Sequence, residues 1–192
     1  MRYEGLENIP KDGGYILCSN HRSMHDPVFL IHKEPHRVHF MAKEELFRNK
    51  LFGALIRDLG AFPVARGKGD TSAIDKSVEL LREGGVLIIF PEGTRSKDGV
   101  PLRARSGVAV IAKFSGADVL CCSIDYGRKL SFRTTVTLRY HPVLTAEMLG
   151  LKINNDDIAA IKSAGKIVME TITSGLRNLP EPKDLPGELS AD

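Results

Sequence analysis

A histidine and a carboxylate near the start of the chain could together carry out proton transfer. His21 is followed five positions later by Asp26. A neutral imidazole can take a proton from a hydroxyl, and a carboxylate can orient the ring and stabilise the imidazolium that forms. Residues at this spacing do not share a face of a helix. The two side chains can therefore meet only if His21 lies in a loop and Asp26 at the start of a helix. Otherwise Asp26 is only a helix cap and His21 a loop residue.

A second polar segment, Phe-Pro-Glu-Gly-Thr-Arg-Ser at residues 90–96, could bind a hydroxyl and an anion. Gly93 permits close approach of the backbone to a ligand. The Glu92 carboxylate can accept a hydrogen bond from a hydroxyl. The Arg95 guanidinium can hold a phosphate or form an ion pair with Glu92 or Asp26. The plainer interpretation is a Pro-Gly turn with an exposed salt bridge.

A third segment places Arg66 after a predicted strand and before Gly-Lys-Gly at 67–69. A guanidinium matches phosphate oxygens in a bidentate geometry, so Arg66 is a candidate phosphate ligand and Lys68 a secondary one. If Arg66 is only a solvated loop residue, Arg95 or Arg105 would take the phosphate instead. The segment is not a Walker loop, because the spacing before Gly-Lys differs and no serine or threonine follows.

The spacing of His21 and His25 is that of two metal ligands on one helix. A zinc protease of the His-Glu-x-x-His type needs a glutamate directly after the first histidine, where Arg22 stands. We therefore predict no metal site at this segment.

The elements that would position these residues alternate between strands and helices, which predicts a single layered α/β domain with a mixed, mostly parallel sheet flanked by helices. The predicted strands lie at 14–19, 38–42, 61–65, 86–90, 118–125 and, more exposed, 132–140. The predicted helices lie at 26–33, with Asp26 as N-cap, and at 44–59, 70–82, 105–115 and 156–176. Each polar segment follows a strand, and ligands of open α/β sheets bind at the carboxyl ends of strands.

These motifs resemble those of the glycerolipid acyltransferase family, the 1-acyl-sn-glycerol-3-phosphate acyltransferases and their relatives. His21 and Asp26 match the family's His-x4-Asp motif, and residues 90–96 match its third motif without a change. Residues 60–66 fit a second motif that ends in arginine, and residues 4–10 resemble the lead-in. The resemblance covers the region 4–145 and implies a glycerol-3-phosphate acyltransferase-like fold.

The resemblance implies an O-acyltransferase of phospholipid biosynthesis. His21, oriented by Asp26, would deprotonate the free hydroxyl of lysophosphatidic acid, which attacks an acyl thioester to give phosphatidic acid. The donor would be acyl-CoA or acyl-carrier protein, a co-substrate, and no metal or other cofactor is expected. The implied acceptor-binding residues are Arg66, Glu92, Gly93, Thr94 and Arg95.

Three alternatives stay open at this point. The acceptor could be glycerol 3-phosphate or another lysolipid, the base could act on water in a thioesterase, or the chain could be a non-catalytic lipid- or membrane-binding module. Cys121 stands where the family's fourth motif usually has proline, which leaves donor and acceptor preference undecided.

Composition favours an ordinary globular protein. The chain has 192 residues, 42% of them hydrophobic and 27% charged, with a net charge of +3. This balance is too weakly basic for a dedicated nucleic-acid binder. Three cysteines form no disulfide framework, which favours a reducing compartment. No apolar run approaches the roughly 20 residues of a transmembrane helix. We expect a cytoplasmic protein, peripheral at the inner face of the membrane.

The predicted helix at 44–59 is the candidate membrane contact. Its Arg48, Lys50 and Arg57 flank Leu51 and Phe52, although a core-facing stripe with a solvated basic face is the plainer interpretation. We expect one acyltransferase domain at 1–179 and a mobile tail at 180–192, rich in proline and acidic residues. Many family members carry a hydrophobic N-terminal segment that is not seen here, and the sequence leaves open whether this start is natural or truncated.

Overall fold

The computed structural model describes residues 1–64, 71–127, 130–131, 133–152 and 157–177. Its strands are β1 (Arg2–Glu4), β2 (Ile16–Ser19), β3 (Val38–Lys43), β4 (Ala61–Val64), β5 (Val86–Ile89), β6 (Val119–Asp125) and β7 (Thr137–Tyr140). Its α-helices are α1 (Asp26–Ile31), α2 (Lys50–Asp58), α3 (Ser72–Arg82), α4 (Gly107–Ser115) and α5 (Ile158–Ser174).

Within these residues the strands form one seven-stranded sheet in the order β1-β7-β6-β2-β5-β3-β4. Neighbouring strands are parallel except for the antiparallel pair of β6 and β7. The predicted α/β class, with a mixed and mostly parallel sheet flanked by helices, is confirmed.

The sheet is covered on both faces, which explains why its central strands are continuous apolar runs. Alternate residues of β2 enter opposite cores: Ile16 and Cys18 pack with residues of α3, α4 and α5, whereas Leu17 packs with Leu30 of α1 and Ile56 of α2. Because β2 and its neighbours are parallel, their carboxyl ends meet at one edge of the sheet, where the loops bearing the candidate residues begin.

The prediction of a single helix at 44–59 is wrong. Residues Glu44–Phe47 form a short 3-10 helix, and α2 begins only at Lys50. The Asn49 side chain caps α2 by accepting a hydrogen bond from the Phe52 N–H at 3.1 Å, and a capping asparagine starts a new helix instead of continuing an old one. The predicted core-facing stripe is present only in part: Ile56 is buried in the core, whereas Leu51 and Leu55 are 86% and 56% exposed.

The prediction of an exposed strand at 132–140 is also wrong in its start and in its burial. Residues 131 and 134 form a turn, and β7 begins at Thr137. Leu138 and Tyr140 are buried in the core, because β7 lies between β6 and β1. Strand β1, which pairs with β7, was not predicted from the sequence, since three residues carry no usable periodicity.

One prediction lies outside what the structure tests, and one feature of the helices bears on the membrane. The C-terminal tail at 180–192 lies outside the described residues, so the domain boundary stays a prediction. Within the described part of the chain, no helix combines the length and the apolar character needed to cross a bilayer.

Candidate active site

The two polar segments come together because β2 and β5 are adjacent parallel strands. Each segment leaves the carboxyl end of its strand. The backbone N–H of His21 donates to Glu92 Oε1 at 2.8 Å, and the Ser96 N–H donates to the His21 carbonyl at 2.8 Å. The predicted meeting of the segments at 20–26 and 90–96 is therefore present in the fold.

His21 and Asp26 form a direct pair. His21 Nδ1 lies 2.9 Å from Asp26 Oδ2, and the same oxygen accepts the backbone N–H groups of Arg22 and Ser23 at 2.7 Å each. Asp26 is buried while the His21 side chain is partly exposed. An ionised carboxylate only accepts hydrogen bonds, so Nδ1 carries the proton and Nε2 presents its lone pair.

The helix cap differs from the prediction. Asp26 is the first residue of α1 and His25 stands at the N-cap position. The Asp26 carboxylate accepts from residues that precede it, because Arg22 and Ser23 fold back over the helix start. Asp26 therefore organises the His21 loop instead of capping α1. His25 itself is exposed, with its ring Nδ1 3.0 Å from Ser23 Oγ.

The plane of the His21 ring is set by an aromatic neighbour. The ring stacks on Phe90 with centroids 4.0 Å apart and an interplanar angle of 17°. His21 Nε2 has no hydrogen-bond partner among the described residues. The stacked ring, held at Nδ1 and free at Nε2, is the geometry that a general base needs.

Glu92 is a buried carboxylate that bonds the backbone of His21. It is 2% exposed, and its second oxygen accepts the Leu102 N–H at 2.8 Å. Burial raises the pKa of the Glu92 carboxyl, while the hydrogen bonds from the Leu102 and His21 backbones act in the opposite direction. Each Glu92 oxygen thus holds a backbone N–H from a different loop.

The remaining residues of this segment lie near the surface. Gly93 has φ of 69°, and a Cβ there would lie 2.6 Å from Arg105 Cδ. Glycine therefore allows the Arg105 side chain to lie against the backbone at residue 93. Thr94 and Arg95 are exposed. The ion pair of Arg95 with Glu92 or Asp26 is not formed, and all three residues lie in the described part of the chain. Arg105 instead lies beside the motif.

Arg66 and Lys68 fall at 65–70, outside the described residues. Strand β4 ends at Val64 on the same edge of the sheet as β2 and β5. The role of Arg66 as a phosphate ligand stays a prediction.

Sequence reasoning missed two residues that shape the site. The buried Asn20 amide bonds the backbone of Ile124 in both directions, at 2.8 and 2.9 Å, and so joins the end of β2 to β6. The Arg22 guanidinium lies over the Tyr126 ring at 4.6 Å and donates to the Gly127 carbonyl at 2.7 Å. Neither contact has a local signal, because each partner lies about half the chain away.

The cysteines are not candidates for a nucleophile. Cys18, Cys121 and Cys122 are free and fully buried in the sheet. Burial raises the pKa of the Cys121 thiol to about 12 and that of the other two well above the usual range. Thiols of this kind stay protonated at neutral pH.

Comparison with known proteins identifies the family. The model of the Acyltransferase family matches residues 1–125. The chain belongs to the Acyltransferase family. The predicted family resemblance is confirmed, and the His21–Asp26 pair lies inside the matched region.

Two curated relatives and one solved structure illustrate the similarity. A 1-acyl-sn-glycerol-3-phosphate acyltransferase of Bacillus subtilis (strain 168) is 37% identical over 115 residues, 59% of this chain and 57% of the relative. One of Streptococcus pneumoniae (strain ATCC BAA-255 / R6) is 31% identical over 179 residues, 91% of this chain and 62% of the relative. The crystal structure of the 1-acyl-sn-glycerophosphate (LPA) acyltransferase PlsC from Thermotoga maritima matches with a TM-score of 0.67 and 28% identity, covering 91% of this chain and 69% of that chain. The chain thus spans about six tenths of the length of these two curated relatives.

Proposed function

We propose that this acyltransferase moves a fatty acyl group from an acyl thioester to the free hydroxyl of lysophosphatidic acid, giving phosphatidic acid. The observation that carries the proposal is the His21–Asp26 pair, held at Nδ1 and open at Nε2. The relatives of Bacillus subtilis and Streptococcus pneumoniae, which are named 1-acyl-sn-glycerol-3-phosphate acyltransferases, support the choice of acceptor.

The proposed reaction is a direct transfer. His21 Nε2 takes the proton of the acceptor hydroxyl as its oxygen attacks the thioester carbonyl carbon. Asp26 stabilises the imidazolium, and local backbone N–H groups stabilise the tetrahedral oxyanion. The C–S bond then breaks, and the leaving thiolate takes the proton back from His21. The proposal needs no metal or other cofactor, since acyl-CoA or acyl-carrier protein serves as co-substrate.

The proposed acceptor site uses the arginines around this edge of the sheet. Arg95 is exposed and directly precedes Ser96, whose N–H bonds the His21 carbonyl. The Arg105 side chain lies against Gly93. Arg66, at the segment after β4, would complete the phosphate contact, and Thr94 would contact the glycerol part. Guanidinium groups suit this role because they bind phosphate with charge-assisted hydrogen bonds.

An acyl-transfer assay with purified protein tests the proposal and its alternatives. Lysophosphatidic acid, other lysolipids, glycerol 3-phosphate and no acceptor are each offered with acyl-CoA and with acyl-carrier protein. We expect phosphatidic acid as the main product. Preferred acylation of glycerol 3-phosphate would change the acceptor, and release of free fatty acid regardless of acceptor would indicate a thioesterase. No product under any condition would indicate a lipid-binding module without activity.

We also propose that α2 and the segment before it make peripheral contact with the inner face of the membrane. Leu51 and Leu55 are among the most exposed apolar side chains, and Phe52 lies beside them. Arg48 and Lys50 add positive charge at the same end. An apolar strip bordered by basic residues suits an anionic lipid surface.

Co-sedimentation with anionic vesicles checks this contact. Each basic residue near an anionic surface contributes about 1 kcal/mol and is screened within a Debye length, so binding is expected to fall sharply as salt rises. Leu51→Gln removes an inserted side chain worth about 1.5–3 kcal/mol and is expected to weaken binding roughly tenfold. Ile158→Gln is the matched control, because Ile158 is comparably exposed but starts α5, which packs on the other face of the sheet.

Two outcomes would count against the α2 contact. Equal loss of binding in the Leu51→Gln and Ile158→Gln proteins would show that α2 is not the contact. Binding that does not change with salt would indicate deeper insertion than a peripheral strip allows.

A further inference from the structure

Glu92 is the residue whose surroundings differ most from the role that the family resemblance implies. An acceptor-binding carboxylate has to be reached by the acceptor. Glu92 is 2% exposed, and its two oxygens accept the His21 and Leu102 N–H groups at 2.8 Å each. An acceptor hydroxyl that displaced either bond would leave a backbone donor of the site unsatisfied.

The contacts of Glu92 belong to a larger set around His21. Three residues of the 90–96 segment contact His21. The Phe90 ring stacks on its imidazole, the Ser96 N–H donates to its carbonyl, and Glu92 accepts from its N–H. Asp26, the first residue of α1, holds Nδ1 from the other end of the same segment. His21 is therefore held at its amide, its carbonyl and its ring.

The Leu102 contact gives Glu92 a second effect. It ties the loop that runs from the motif to α4, and the Arg105 N–H donates to the Pro91 carbonyl at 2.8 Å in the same loop. This loop carries Arg105, whose side chain lies against Gly93. One buried carboxylate thus sets the distance between the histidine loop and the arginine-bearing loop.

We propose that Glu92 is a positioning residue, which acts on the reaction by fixing the backbone of His21 and of Leu102 and does not bind the acceptor. This inference rests on the proposed function only in taking His21 as the general base. Glu92 is the carboxylate of the 90–96 motif. The inference gives it a role in the rate of transfer and none in the affinity for the acceptor.

Glu92→Gln tests the inference, because glutamine keeps the shape and one acceptor oxygen but turns an amide NH₂ toward the other backbone N–H. We expect kcat for acyl transfer to fall roughly tenfold or more, with the acceptor KM changed by less than about twofold. A variant with near wild-type kcat and a tenfold higher acceptor KM would show instead that Glu92 binds the acceptor. Glu34→Gln is the control: Glu34 also accepts two hydrogen bonds, from Tyr15 and His36, but Tyr15 precedes β2 at the opposite edge of the sheet.

Amide hydrogen exchange gives a readout that needs no substrate. In the Glu92→Gln protein, the N–H of His21 or of Leu102, whichever faces the new amide NH₂, is expected to exchange roughly tenfold faster, while the amides of β5 keep their wild-type rates. Unchanged exchange at both His21 and Leu102 would overturn the inference. If the transfer assay detects no product with any acceptor, the proposed function fails, and the exchange measurement still decides the positioning role.

Glu92→Asp covers the case in which the glutamine variant does not fold. Aspartate keeps the charge but is one methylene shorter, so it cannot reach both backbone N–H groups. The same fall in kcat and the same faster exchange at His21 or Leu102 are expected. Wild-type values of both quantities in a folded Glu92→Asp protein would overturn the inference.

Discussion

Replacement of His21 by alanine is expected to lower the rate of acyl transfer by roughly 10²–10⁴-fold, the usual contribution of a general base. The physical reason is that Nε2 is the nitrogen left open by the Asp26 contact, and alanine has no group that can accept a proton. The measurement is kcat with saturating lysophosphatidic acid and thioester.

The fold is expected to survive this change, because His21 lies in a loop and its ring is partly exposed. Thermal unfolding should therefore stay close to wild type. His25→Ala is the matched control, since His25 lies in the same segment but its side chain is exposed, hydrogen-bonds Ser23 and makes no contact with Asp26. A folded His21→Ala protein with near wild-type turnover would exclude the proposed mechanism.

Asp26→Asn is expected to produce the second large loss, about 10²–10⁴-fold in kcat, with a smaller change in acceptor KM. Asparagine can still accept from the His21 ring and from the Arg22 and Ser23 backbones, but it cannot stabilise the imidazolium by charge. Its amide NH₂ would occupy the position of Asp26 Oδ1, which has no hydrogen-bond partner in the described residues, and would be buried without an acceptor. The measurement is the kcat of the folded variant together with its thermal unfolding.

Asp58→Asn serves as the control for the removal of a carboxylate charge, because Asp58 is exposed at the end of α2. Near wild-type kcat in the Asp26→Asn protein would mean that Asp26 only ties the loop together. A loss in Asp26→Asn that matches the loss in His21→Ala, by contrast, is expected if the two residues act as a unit.

The effects at Glu92, Asp26 and His21 should differ in kind. His21 touches the acceptor hydroxyl in the proposed reaction, and Asp26 touches the imidazole. Glu92 reaches neither reacting group and acts through the His21 backbone. The proposed ranking therefore places His21 and Asp26 above Glu92 in their effect on kcat.

The fold class and the pairing of His21 with Asp26 were determined by the sequence. Apolar runs bounded by glycine, proline and polar residues predicted β2, β3, β4, β5 and β6, because strands covered on both faces need nothing but local apolar composition. The spacing of His21 and Asp26 restricted their meeting to a loop and a helix start, and that is where the structure places them.

Local sequence was least informative where a role depends on a distant partner. The burial of β7 and the pairing of β1 each depend on which elements pack against them. The phosphate role of Arg66 lies at residues that the structure does not describe and stays a prediction.

Glu92 shows the physical limit of reading a motif. A glutamate before glycine in a tight turn is typical of a ligand contact, and from sequence alone nothing argues against that interpretation. Only the tertiary structure decides its partners, because its bond to His21 spans 71 positions of the chain and exists through the parallel pairing of β2 and β5. Composition and spacing thus determined which chemistry is available, whereas burial and long-range hydrogen bonds decided which side chain keeps an open nitrogen and which one is buried against the backbone of two loops.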